Sequence, residues 1–280
     1  MNIKRINSFS SYLNHRDAMR RVYEQRVIFE RSLQEKHPHS FEVPGFSYPA
    51  RQQVGFLADF TWSVGGNVNW RERLVCPITG LNNRQRAAIH LADSEIGINP
   101  HESIYITEQV TSLYTYLKNL YPSIVGSEYL ATSAPKGGLD HRGIRNEDLS
   151  QLSFNEASLD AVLSFDCFEH MPNFTTPAAE LYRVLKKGGR LMWSVPFRSD
   201  LQLNLRRASI NNDGTINHHE PPEYHGDPIN AGGCLCFTHF GWEMLDQVRR
   251  VGFQDAYAVL YWSDIFGYLG IEQFMFVAVK

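Results

Sequence analysis

Between residues 158 and 197 the chain reads SLDAVLSFDCFEHMPNFTTPAAELYRVLKKGGRLMWSVPF, and the spacing of its apolar positions changes along the way. Ala161–Phe165 is a short apolar run, the pattern of a buried strand. Asp166–Asn173 is polar and ends in a Pro-Asn turn signal. Over 176–185, Ala179, Leu181, Tyr182 and Leu185 fall at helical spacing. Lys186 and Lys187 suit a helix C-terminus, and Gly188-Gly189 is expected to end the helix. Arg190–Phe197 predicts a second buried strand. Strand, helix, strand is a βαβ unit. It implies a parallel sheet with its ligand at the carboxyl ends of the strands.

The same reading extends in both directions. Residues 15–36 carry a helical pattern through Ala18, Met19, Val22, Val27 and Leu33, and His37-Pro38 should stop it. Residues 38–72 combine Pro and Gly with many aromatics, among them Phe41, Phe46, Phe56, Phe60, Trp62 and Trp70. Aromatics in so loop-rich a stretch predict a segment that buries itself against a neighbour. A turn at 76–83 leads to a helix from about Arg84. Residues 1–100 are therefore expected to form a mainly helical cap, and 101–280 the core.

The core should begin with strands at 103–107 and 123–127, with a helix over 111–120 between them. A short third strand is expected at 143–146, followed by the two strands already described. Residues 198–240 form a long insertion rich in Asn, His, Gly and Pro. A helix over 240–251 ends at Gly252, and strands at 254–261 and 273–279 close the chain. The fold class predicted is α/β, with a seven-stranded sheet.

Composition narrows the function classes. A formal net charge of −3 on 280 residues leaves no basic footprint for nucleic acid. No apolar stretch is long enough to span a bilayer, so no membrane partner and a cytoplasmic location are expected. The four cysteines, Cys76, Cys167, Cys234 and Cys236, have spacings that support neither a disulfide framework nor a zinc ribbon, so free thiols are expected.

The run SLDAVLSFDCFEHMPN…ELYRVLKKGGRLMWSVPF resembles the fourth and fifth strands of class I S-adenosylmethionine (SAM) dependent methyltransferases, in their small-molecule branch. A glycine-less YITE…GSEYL stretch and a later PPEYHGDP…GGxLCFxxFGW run extend the resemblance over about residues 70–280. The implied fold is the Rossmann-like methyltransferase sheet, with the last two strands as an antiparallel hairpin at one edge. The implied cofactor is SAM. Glu128, after the second strand, corresponds to the carboxylate that holds the ribose hydroxyls, and Asp148 to the group that holds the adenine amine. Leu149 should flank the adenine, while Phe165 and Asp166 should border the methionine moiety. The first motif departs from the family: Thr107–Ser112 contains no glycine, and Glu108 stands where that motif has its acidic residue.

Methyl transfer from a sulfonium needs in-line alignment, plus a base where the nucleophile carries a proton. The insertion 198–240 sits where the family builds its acceptor pocket. Its segment 218–228 concentrates His, Glu, Tyr and Asp between rigid turn residues. His225 and Tyr224 are the first candidates for base or acceptor orientation, followed by His239 and His170. No metal is expected. The alternative is a divalent cation on Asp166, Glu169 and His170, a spacing similar to that of some quinone-type O-methyltransferases.

The leading expectation is methyl transfer to a hydroxyl or amine of a sugar or other small polar metabolite, by a homodimer formed through the N-terminal region. Two alternatives stay open: a non-catalytic or degenerate subunit that keeps the fold, and a SAM binder with other chemistry.

Overall fold

The computed structural model describes residues 1–35, 37–63, 65–131 and 134–280. The chain forms two compact units, residues 1–97 with 258–275, and residues 98–257 with 276–280.

The first unit begins with β1 (Asn2–Ile6) and the long helix α1 (Phe9–Gln34). Ser8 caps α1 by accepting the Ser11 N–H, so the helix starts well before the expected residue 15. The expected last position, residue 36, lies outside the described residues. A hairpin of β2 (Ser40–Ser47) and β3 (Gln52–Asp59) follows. Its inward residues Phe41, Val43, Phe56 and Ala58 pack with Trp70, Leu74 and Cys76. The aromatics at 38–72 are thus in part the alternating face of a hairpin, not only loop anchors. Helix α2 (Asn83–Ser94) opens on a capping box between Asn82 and Gln85.

The second unit carries β4 (Ile104–Ile106), α3 (Ser112–Leu120), β5 (Val125–Gly126) and β6 (Leu159–Phe165). Then come α4 (Thr175–Val184) and β7 (Leu185–Ser194). β5, β4, β6 and β7 lie side by side and parallel, as the βαβ pattern implies. Ala161, Val162, Leu163, Leu191, Met192 and Trp193 are buried, which explains why these strands read as apolar runs.

The insertion folds as three short antiparallel pairs. β8 (Leu205–Arg206) pairs with β13 (Thr238–His239), β9 (Ala208–Ile210) with β10 (Ile216–His218), and β11 (Tyr224–His225) with β12 (Cys234–Leu235). Helix α5 (Glu243–Val251) leads to β14 (Asp255–Ser263) and β15 (Tyr268–Val279), two strands that contribute residues to both units.

One seven-stranded sheet runs β1-β14-β15-β7-β6-β4-β5, a Rossmann-like arrangement with an antiparallel edge. Its count agrees with expectation, but one member differs. Residues 143–146 make only an isolated parallel bridge, Glu128 with Asn146. The Asn146 side chain is taken up by the Leu130 N–H and the Ala134 carbonyl, which turns this stretch into a knot of loops. The seventh place goes to β1, paired antiparallel with β14 from Asn2–Trp262 to Ile6–Ala258. A second difference lies at Gly188-Gly189. The helix stops earlier, at Val184, and the glycines fall within β7, where Gly188 has φ +75°. The register against β6 shifts between Leu159 and Ala161, so these residues form a bulge. Among the described residues no helix is long and apolar enough to cross a membrane.

Candidate active site

The carboxyl ends of β4, β5 and β6 meet in the second unit, and the loop after β4 is held there without a glycine of its own. Thr107 Oγ1 donates to Ser164 Oγ at 3.0 Å. Gln109 bridges to the Gly143 carbonyl and the Arg145 N–H at 2.9 and 2.8 Å. Thr111 caps α3 through the Tyr114 N–H. The small residue comes instead from the neighbouring strand: a Cβ on Gly126 would lie 2.6 Å from the Glu108 carbonyl oxygen. Backbone closeness that the family normally gains inside the loop is gained here from β5.

Glu128 completes this clamp. Its Oε1 accepts the N–H groups of Gln109 and Val110 at 2.7 and 3.0 Å. Burial raises its pKa, and those two N–H groups oppose the rise. Asp148 is half-buried and accepts the Ser150 N–H at 2.8 Å, and Leu149 beside it is buried. Glu108 and Phe165 are half-buried. Asp166 adopts φ +49°, a strained backbone for a residue with a side chain, and its Oδ1 accepts the Ser194 hydroxyl at 2.9 Å. The structure therefore groups Glu108 with Glu128, and Phe165 with Asp166, at neighbouring strand ends.

After β6 the chain makes a 3-10 turn, Phe168–His170. The insertion docks on it: the Phe237 N–H donates to the Glu169 carbonyl at 2.7 Å, and His170 Nδ1 lies 2.9 Å from the Leu235 carbonyl. Gly233, with φ +75°, lets β12 close on β11, since a Cβ there would lie 2.5 Å from the His225 carbonyl oxygen. The result is a polar cluster centred on Glu169, whose side chain is 0% exposed. Neither carboxylate oxygen makes a hydrogen bond. Its nearest partners are His225 Nδ1 at 3.4 Å and His170 Nε2 at 3.7 Å, at ion-pair distance.

His225 also meets Glu223 Oε1 through Nε2 at 2.9 Å, and the same oxygen takes His239 Nε2 at 3.1 Å. Arg207 holds the other Glu223 oxygen at 3.2 Å. The Cys236 sulfur and Glu169 raise the His225 pKa, and burial lowers it less, which leaves it pushed up to about 11. His239 is raised too, first by Cys236 and then by Glu223 against burial. Burial would raise the Cys236 thiol, but His225 and His239 outweigh it and lower it. Burial raises Glu169. His225 is thus an imidazolium between two carboxylates, suited to donate and orient, and it has no lone pair to act as a base in this state.

Among the sequence candidates the structure brings His170, His225 and His239 together, and it leaves Tyr224 outside, with 58% of the residue exposed. Alternation explains this: Glu223 and His225 share one side of a strand and Tyr224 takes the other. Asp166 accepts the Ser194 hydroxyl, and its charge also adds to the rise in the Glu169 pKa. Glu223, Cys236 and Gln109 were not singled out from the sequence. The two-residue spacing of Glu223 and His225 was the one available signal, while Gln109 had none.

Residues 112–193 match the family model described as a methyltransferase domain. That segment spans α3 to β7, the parallel βαβ part of the sheet. Over that segment the chain is similar to the methyltransferase domain family. The chain also resembles solved structures at low identity. A SAM-dependent methyltransferase from Mesorhizobium loti is 11% identical, with 70% of this chain and 97% of that one covered and a TM-score of 0.39. A Haloferax volcanii complex of the Trm112 methyltransferase activator and a putative methyltransferase gives 13%, 70%, 90% and 0.43. The Burkholderia thailandensis 1,6-didemethyltoxoflavin-N1-methyltransferase, with S-adenosylhomocysteine bound, gives 14%, 70%, 77% and 0.39. No curated protein matches the chain at a significant level.

Proposed function

We propose that this protein transfers the methyl group of SAM to a hydroxyl or amine of a small polar metabolite held beneath the insertion 198–240. One observation carries the reading. The insertion delivers Glu223, His225 and His239 to the turn after β6, beside Glu169 and His170, at the strand ends where this fold presents its methyl donor. SAM is assigned to the loop after β4, with Glu128 at the ribose and Asp148 at the adenine. Glu128 both fastens that loop and presents a carboxylate at the end of β5. The acceptor is oriented by the imidazolium of His225, and Glu169 stands ready to take the proton the nucleophile loses. An acid whose pKa is raised by burial is suited to that exchange.

The competing reading is a non-catalytic subunit, and the glycine-less loop is the feature that favours it. Calorimetry with SAM separates the two. Binding, followed by formation of S-adenosylhomocysteine with a panel of sugars and amines, is the expected result. A folded protein that takes up no SAM would refute the proposal.

A further inference from the structure

We propose that Glu169, His170 and His225 bind a divalent transition-metal ion, in a site of two histidines and one carboxylate with coordination positions left open. Their three ligand atoms lie within 4.8 Å of one another. His225 Nδ1 and His170 Nε2 stand 3.4 and 3.7 Å from Glu169 Oε1. An ion with bonds of about 2.0–2.2 Å to nitrogen and oxygen holds its ligand atoms roughly 3.3–3.6 Å apart. Both separations from Glu169 match that spacing to within a few tenths of an ångström, and the two nitrogens lie within 4.8 Å of each other.

Three features point to an ion and not to a loop brace. Glu169 is wholly buried with neither oxygen hydrogen-bonded, a costly state for a carboxylate unless a cation meets it. Each histidine turns its outer nitrogen to an acceptor. His170 Nδ1 faces the Leu235 carbonyl at 2.9 Å, and His225 Nε2 faces Glu223 Oε1 at 2.9 Å. With protons on those outer atoms, His170 Nε2 and His225 Nδ1 both face Glu169, and an ion binding there displaces the Nδ1 proton of the His225 imidazolium and takes its lone pair. Ligating imidazoles are oriented in this way by carbonyl and carboxylate partners. The turn itself needs none of this, since the backbone bond from Phe237 to Glu169 already holds the insertion in place.

The donor set decides the class of ion. Two imidazoles and one carboxylate suit zinc, iron(II) or cobalt(II), and suit magnesium or calcium poorly. In the alternative set of Asp166, Glu169 and His170, one Asp166 oxygen is already engaged by the Ser194 hydroxyl. The third ligand comes instead from the insertion. An acceptor hydroxyl or amine could then coordinate at an open position and lose its proton more readily. That last clause rests on the methyl-transfer reading, whereas the metal site does not. A second cluster, Glu223, Cys236 and His239, lies alongside and is the competing address.

The test uses the full chain, stripped with a chelator and dialysed against Zn²⁺ alone without SAM. Metal per chain is counted by mass spectrometry, and visible absorption with Co²⁺ reports the coordination. We expect close to one ion per chain. Glu169→Gln and His225→Asn should each weaken binding more than about a hundredfold, and Glu223→Gln about tenfold. Cys236→Ser should stay within about threefold of the parent. Unfolding midpoints measured in chelator establish that the variants are folded. Should Glu169→Gln not fold, His170→Asn decides. The proposal is overturned if the parent protein binds no stoichiometric zinc. It is equally overturned if Cys236→Ser abolishes binding while Glu169→Gln and His225→Asn keep it. Because no cofactor is present, that failure would leave the methyl-transfer reading to be judged by SAM binding and product formation.

Discussion

Arg86 in the first unit and Glu169 in the second are both buried charges, and they are treated in opposite ways. In the first unit Arg86 is 0% exposed. Its guanidinium donates to the carbonyls of Phe266, Leu74 and Gly267 at 2.6, 3.1 and 3.0 Å, and it lies 3.7 Å from the Phe56 ring centroid. Glu30 likewise accepts the N–H groups of Gly270 and Ile271 at 2.7 and 2.9 Å. These charges close hydrogen bonds that the turns of β15 would otherwise leave open. In the second unit Glu169 is equally buried, yet its oxygens make no hydrogen bond. A satisfied buried charge specifies a fold. An unsatisfied one, flanked by histidines, costs stability, and the acceptor and metal proposals rest on it.

The sharpest way to break this comparison is to neutralise Glu169. Glu169→Gln should lower methyl transfer by about 10²–10⁴-fold, the usual scale for losing a proton acceptor. SAM affinity should stay within about threefold. The thermal midpoint should hold or rise, because a strained functional group is removed. A loss of stability with activity intact would show that Glu169 is structural, like Arg86.

Arg86→Met should do the reverse. It leaves three buried carbonyls without their donor and should cost roughly 3 kcal/mol of stability, read by denaturant unfolding. Should the variant fold at parental stability, the contrast between the units is lost. Next in size is Glu128→Ala. Losing a carboxylate that fastens the loop and faces the ribose should cost about 1–3 kcal/mol of SAM binding, about tenfold or more by calorimetry. Unchanged affinity in a folded variant would move the cofactor assignment elsewhere.

The smallest effect concerns pH. His90 in the first unit stacks on Tyr48 with ring centroids 3.7 Å apart, and burial lowers its pKa to about 4. Its folded pKa is below the unfolded value near 6.5, so the unfolded chain takes up the proton first. Stability should therefore fall as pH drops from about 6.5 to about 4 and gain no further contribution below that. His90→Phe keeps an aromatic stack and should flatten this slope. An unchanged slope would place the titration on other groups.

Much of the core was legible because its signals are local. The βαβ run at 158–197 declares its period within a few residues, and the caps Thr111 and Asn82 are read within one turn of their helices. The ends were less legible. Five residues of NIKRI carry too little pattern to announce β1, whose pairing with 258–262 lies some 250 residues away in sequence. Gly188-Gly189 reads equally well as a helix stop and as a bulge, and only the partner strand β6 decides which. In the site, His225 and His239 stood out by residue type. Glu223 did not, because its importance lies in one oxygen shared between two histidines on different strands.

What the sequence determined alone is the succession of strands and helices in the parallel core, and with it the edge where a ligand would sit. Periodicity, capping and turn chemistry act over fewer than about ten residues, so a linear reading captures them. The tertiary structure alone decided which residues meet there. Gly126 on β5 makes the room that the loop after β4 does not make for itself. An insertion some 60 residues beyond Glu169 supplies the histidine that faces it. Such pairings depend on where the chain returns in space, and on which buried polar atoms are left without partners when it does. Neither quantity exists until the core has packed.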